Sequence, residues 1–218
     1  MSGRPMFGWD IETDTRVNGL DPRVAAVSSV ALWAPGWREV LTGQEPDILD
    51  GLADLLGSLE PSLALGWNSS VFDAPFVATR AELYGIDLGW TLVPDASIVP
   101  KYDFTPPHTS GYRVLLGKHA HADLAYAFKG YAETAKVPWG LKPVCRSLGV
   151  HMVEVDRGRT HELGAAELAE YNLSDARGTY MLGELLGEDL HHWVDEVAGT
   201  SSGKVHGRAP EGRRLSDR

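Results

Sequence analysis

Apolar residues fall into short runs whose internal spacing predicts one element after another. In the first, MFGWDIET (Met6–Thr13), Met6, Phe7, Trp9 and Ile11 give strand composition. Asp10 and Glu12, two residues apart, therefore project from one strand face. A turn-rich stretch over 13–23 leads to two strand candidates, 24–33 and 38–41, separated by Ala34-Pro35-Gly36, a spacing that predicts an antiparallel meander. Ile48, Leu49, Leu52, Leu55, Leu56 and Leu59 recur at helical intervals between Pro46 and Pro61. They predict an amphipathic helix with its leucines in the core, returning the chain to a strand at Leu63-Ala64-Leu65.

GWNSSVFDAPF (66–76) then reads as strand end, loop and helix start. Asn68 or Ser70 is available as N-cap and Pro75 suits the first turn, which leaves Asp73 near the N-terminal end of a helix over 74–84 stopped by Gly85. Pro94, Pro100, Pro106, Pro107 and Gly111 predict a long loop over 94–111. A short helix is expected over 141–148 and a long one over 171–186, YNLSDARGTYMLGELL. Tyr171 and Asp175, four residues apart, share one face of that helix about one turn (~6 Å) apart.

Two ionised carboxylates a few ångströms apart repel each other and take up a proton unless a divalent cation neutralises them. Asp10 and Glu12 thus anticipate a hard metal such as Mg2+. Spacing alone does not decide the matter, since Glu154 and Asp156 share it. Asp73 by itself is equally explained by a favourable helix dipole, and Tyr171 with Asp175 by a core aromatic beside a solvated acid.

Together, however, the three segments resemble the DEDD superfamily of 3'-to-5' exonucleases, in the branch whose third motif carries a tyrosine. Asp10 and Glu12 match the first motif, Asp73 the second, and Tyr171 and Asp175 the third. Asn68 and Phe72 precede Asp73 as in that family, and Ala74-Pro75-Phe76 continues in the style of exonuclease regions related to family B DNA polymerases. HADL at 121–124 and LKPVCRSLGV at 141–150 look like the family's connecting strand and helix, so the likeness spans roughly residues 5 to 190. It implies an α/β, ribonuclease-H-like fold: a mixed central sheet flanked by helices on both faces, with the acidic site at the ends of central strands.

The resemblance also implies two divalent cations, Mg2+ or Mn2+, held by Asp10, Glu12, Asp73 and Asp175, with Asp10 bridging. Glu12 and Asp175 would complete the site of the nucleophilic water, Asp73 would reach the second metal through coordinated water, and Tyr171 would orient the attack. Thr13, Asn68 and Phe72 would contact substrate, the 3' end of a DNA or RNA strand.

Charge restricts how such a substrate is held. A formal net charge of -10 argues against a broad basic surface, so a grip on the last few nucleotides by aromatic faces is the expected mode. Candidate stackers are Trp9 and Phe72, which also fit the core, with Tyr102, Phe104 and Tyr112; Lys101, Arg113 and Lys118 are available for phosphates. One domain over 1–198 is expected, followed by a disordered basic tail over 199–218 with almost no large apolar residues. The single Cys145 excludes an intramolecular disulfide, no apolar run reaches the roughly 18 residues of a membrane span, and the start lacks a signal-peptide core. A soluble cytoplasmic protein is therefore expected. GxxxxGK[ST], GxGxxG and GxSxG motifs are absent.

Two other readings stand beside this one. His119, His121 and Asp123 alternate along the chain and resemble the HxHxD core of zinc-dependent hydrolases, although Leu124 stands where the metallo-beta-lactamase-like pattern has a further histidine. A nucleic-acid-binding module that kept the fold without turnover is the other, against which stands the burden of holding four unneutralised carboxylates together.

Overall fold

The computed structural model describes residues 5–100, 110–187 and 190. The tail from Gly199, and Lys101, Tyr102 and Phe104, lie outside them. Strand β1 (Met6–Thr13) pairs antiparallel with β2 (Val27–Ala34), which pairs antiparallel with β3 (Trp37–Thr42). This is the expected meander. Helix α1 (Glu45–Ser58) returns the chain to β4 (Leu63–Gly66), parallel to β1. Helix α2 (Asp73–Tyr84) follows, then β5 (Thr91–Asp95), β6 (Gly111–Leu116) and β7 (His119–Asp123). Among the described residues these form one mixed seven-stranded sheet, ordered β3-β2-β1-β4-β7-β6-β5. Helices α3 (Leu124–Ala127), α4 (Lys129–Ala135), α5 (Leu141–Ser147) and α6 (Ala165–Leu186) complete the described chain, with a 3-10 segment at Arg157–Glu162.

Alternation along β1 divides the core in two. Phe7, Trp9 and Ile11 face a cluster built with Ile48, Leu49, Leu52 and Leu56 of α1 and Phe76, Val77 and Ala81 of α2. Met6 turns the other way, into a cluster with Leu65, Leu124, Val144, Cys145 and Leu182. Helices thus cover both faces. The four α1 side chains are at most 4% exposed, and at roughly 1.5–3 kcal/mol per fully buried aliphatic side chain they are the helix's main tether. Gly85 ends α2 with φ 69°, as a left-handed C-cap requires, and Ile86 N–H donates to Ala81 O beyond it.

Some boundaries differ from the expected ones, each for a local reason. Strand β2 begins at Val27 because Asp21 O accepts the N–H groups of Val24 and Ala25, turning the chain there. Pro94 lies in a strand, β5, where the missing N–H is tolerated because β5 is the sheet's edge. Helix α6 begins six residues before Tyr171: Ala165 to Glu170 are mostly strong helix formers, and the Glu167 carboxylate accepts the Gly164 N–H. Neither Asn68 nor Ser70 caps α2. Phe72 is its N-cap residue, without a side-chain cap bond, and the Asn68 and Ser70 backbone N–H groups donate to Asp123.

A buried ion pair locks the α1–α2 layer to the β1–β2 connection. Glu45 accepts from Arg80 Nε at 2.8 Å and from Val27 N–H at 2.7 Å, while Arg80 Nη1 donates to Pro22 O at 2.9 Å. Arg80→Met leaves a carboxylate with under a tenth of its side chain exposed and no cation, so we expect a loss of about 3–5 kcal/mol in urea unfolding. Replacing Glu45 as well should restore part of it; a single-variant loss below about 1 kcal/mol would mean that the pair is not desolvated as described.

Candidate metal centre

The centre forms where β1, α2 and α6 meet. Gly8 precedes Asp10 on the same strand face, and without a side chain it lets α6 lie directly on β1: a Cβ there would stand 2.0 Å from Ala176 O. That close approach brings Asp175, the residue before Ala176, to the strand acids. Ligand oxygens of Asp10, Glu12 and Asp175 lie within 4.8 Å of one another. Tyr171, one helical turn earlier, is 2% exposed.

Asp73 arrives by a different route. The β1–β4 ladder ends at Gly8–Leu65, so the Ile11 N–H beyond it is open to the Asp73 carboxylate. Asp73 accepts from that N–H and its own, which favours the charged form. Burial outweighs both and, with the charges of Asp123 and Asp175, pushes the carboxyl up to about 7. Asp73 is outside the three-acid group but lines the same cavity, of about 500 Å3, with Asp10, Glu12, Tyr171 and Asp175. All five residues of the three motifs therefore face one space.

Thr13, Asn68 and Phe72 line this cavity too. Asn68 is held at φ 62°, its N–H bonded to Asp123 Oδ1 at 2.8 Å, and Phe72 rests against Phe76 with ring centroids 5.4 Å apart. Thr13 Oγ1 donates to Gly19 O at 2.7 Å. The other candidate contacts among the described residues are not at the centre. Trp9 is a core residue packed edge-on to Trp90 and His121. Tyr112, Arg113 and Lys118 are absent from the cavity lining: Tyr112 packs on the core, Arg113 pairs with Asp95 at 2.6 Å, and Lys118 donates to Gly57 O.

The HxHxD residues are framework. His119 accepts from Ser62 N–H at Nδ1 and bonds Leu56 O through Nε2, and His121 Nε2 bonds Ser69 Oγ at 2.8 Å. Burial holds His121 well below the usual imidazole range, at about 3. Asp123 accepts from the backbone N–H groups of Asn68, Ser70 and Ala125, and so clamps the loop that carries Asn68, Phe72 and Asp73. Burial raises its carboxyl to about 6 while those three donors oppose the rise. Among the described residues, the side chains whose oxygens converge closely enough to hold a metal are Asp10, Glu12 and Asp175. Three carboxylates with a fourth across the cavity are hard oxygen donors, which fit Mg2+ or Mn2+ better than a zinc site of nitrogen and sulfur ligands.

Three residues at the centre escape the motif reading. Trp67 and Trp139 line the cavity, the latter pinned by Nε1 donating to Ala125 O at 2.6 Å. Lys142 lies behind it: Nζ is 3.1 Å from Asp175 Oδ1, 2.8 Å from Val153 O and 3.7 Å from the Tyr171 ring centroid. Its signal in the sequence is a lysine among the apolar positions of LKPVC.

Comparison with known proteins bears on the architecture. No protein-family model matches the chain. Over 92 residues, 40% of the chain, it is 25% identical to DNA polymerase 2 of Aeropyrum pernix, of which it covers 12%. A family B DNA polymerase from the hyperthermophilic archaeon Pyrobaculum calidifontis superposes on 84% of the chain with a TM-score of 0.65 and 22% identity. The fold is ribonuclease-H-like. The chain spans 24% of that polymerase's length, so the similarity concerns one region of a much longer protein. Among the described residues no helix is long and apolar enough to cross a membrane.

Proposed function

We propose that the chain is a metal-dependent 3'-to-5' exonuclease of the tyrosine-bearing DEDD branch, acting on the end of a DNA or RNA strand in the cytoplasm. The observation that carries this reading is the convergence of Asp10, Glu12 and Asp175 within 4.8 Å, in a cavity that Asp73 and Tyr171 also line. The likeness of the fold to a region of a family B DNA polymerase supports it. The nuclease domain falls within residues 1–198.

Asp10, Glu12 and Asp175 would hold the divalent cations, Mg2+ or Mn2+, with Asp73 contributing from the α2 side. When bound, such cations stabilise the charge that develops on the scissile phosphate and lower the pKa of an attacking water. Tyr171 would orient that water and hold it in line. Phe72, Trp67 and Trp139 give the terminal bases apolar and aromatic walls, and Thr13 and Asn68 give the backbone polar partners. Grip on a strand end through such walls needs no extended basic surface, in keeping with the net charge of -10. Nucleoside 5'-monophosphates are the products.

The test is a 5'-labelled single-stranded DNA and its RNA counterpart, each with free and blocked 3' ends, incubated with Mg2+ or Mn2+. We expect a ladder that shortens from the free 3' end and vanishes with chelator; both strands remaining at full length at every metal concentration would reject the reading. Tyr171→Phe should lower kcat about 10- to 100-fold, since orientation rather than proton abstraction is lost, and leave the affinity for Mn2+ unchanged.

A further inference from the structure

Lys142 is a buried cation set against Asp175, one of the acids that the proposed centre needs. Its side chain, 8% exposed, reaches Asp175 Oδ1 at 3.1 Å, donates to Val153 O at 2.8 Å, and places Nζ 3.7 Å from the centroid of the Tyr171 ring. One ammonium thus touches both α6 residues of the centre. Lys142 is not among the residues that line the cavity, although its neighbours Gly140 and Leu141 are. It contacts Asp175 and Tyr171 without itself lining the cavity.

That placement has two consequences of opposite sign. A fixed positive charge beside Asp175 supplies part of the neutralisation that three close carboxylates require, and it repels a divalent cation seeking the same oxygens. At the same time, the charge contact with Asp175 and the cation–π contact with Tyr171 hold two side chains whose orientation the chemistry depends on. We propose that Lys142 is a built-in counter-ion of the metal centre: it weakens metal binding to the protein without nucleic acid and positions Asp175 and Tyr171 for turnover. The centre is thereby kept together while metal-free, and full metal loading is left to the added negative charge of the substrate's phosphate. This inference rests on the exonuclease reading and names a positioning residue for the same site.

The test pairs metal binding with kinetics. Mn2+ is titrated calorimetrically into wild-type protein, Lys142→Met and Lys142→Arg without nucleic acid, and hydrolysis of a single-stranded oligonucleotide is measured at saturating Mn2+. Lys142→Met should bind Mn2+ about tenfold more tightly, lose about 10- to 100-fold in kcat, and keep its KM for the strand. Lys142→Arg, which keeps the charge, should retain the weaker metal affinity. If Lys142→Met melts at the assay temperature, Lys142→Gln, neutral but still able to donate to Val153 O, carries the same expectation. Unchanged or weaker Mn2+ binding in the folded neutral variant overturns the proposal and leaves Lys142 as a structural strut, with the exonuclease reading intact. Wild-type protein that neither binds Mn2+ nor shortens either strand removes both.

Discussion

Asp10→Ala should lose metal-dependent hydrolysis by about 10³-fold or more while the protein folds at least as well as the parent. Asp10, on β1, is one of three acids whose ligand oxygens lie within 4.8 Å of one another. On the proposed reading Asp10 would be a ligand shared by the cations, so its removal would displace whatever they hold; a loss of about 4 kcal/mol of transition-state stabilisation corresponds to about 10³-fold in rate. Stability should move the other way. Without metal, Asp10, Glu12 and Asp175 repel one another, so deleting one charge relieves the fold, and the melting temperature without metal should be equal or higher. Addition of Mn2+ should then raise the melting temperature of the parent but much less that of the variant, because only the parent binds the ion tightly in its folded state. A variant with parental rate would remove Asp10 from the centre, and one that fails to fold would mean that its carboxylate is a structural partner.

The chain shows some parts of this arrangement plainly and hides others, and the division follows the range of the interactions. Period and spacing mark β1, α1, α2 with its Gly85 cap, and the Tyr171–Asp175 face, because each is set within a few residues of itself. The convergence of Asp10, Glu12 and Asp175 depends on helix α6 crossing a strand about 160 positions earlier in the chain. No local pattern encodes that, and only resemblance to a family anticipated it. Asp123 and His121 show the limit from the other side. Their alternate spacing suits a metal as well as a framework, and the choice is made by the backbone N–H groups of a loop more than fifty residues away and by Ser69. Lys142 is similar: a lysine at an apolar helix position is legible as an anomaly, but its partners on α6 are not.

Gly8 has a comparable signal, a glycine in the interior of a strand, which marks either a bulge or a close backbone approach. Here it is the approach that fixes the centre. A Cβ at Gly8 would meet Ala176 O at 2.0 Å and Tyr180 N at 2.9 Å, both backbone atoms of a helix that cannot rotate away as a side chain could. Gly8→Ala must therefore push α6 off β1 by roughly an ångström or more, and we expect a loss of about 3 kcal/mol or more in chemical unfolding, at the upper end for overpacking. The displacement separates two pairs of side chains of the proposed site, Asp10 and Glu12 on the strand from Tyr171 and Asp175 on the helix. A misplacement of about 1 Å between reacting groups is worth about 10²-fold in rate, so kcat should fall by that order even at temperatures where the variant is fully folded. Gly183→Ala is the control: its Cβ would meet the flexible end of Leu65 at 2.4 Å, a contact that a rotamer change can relieve, and it lies two turns of α6 beyond Asp175. We expect a smaller loss of stability there and little loss of rate; equal effects from the two substitutions would mean that the closeness of α6 to β1 is not what assembles the acids.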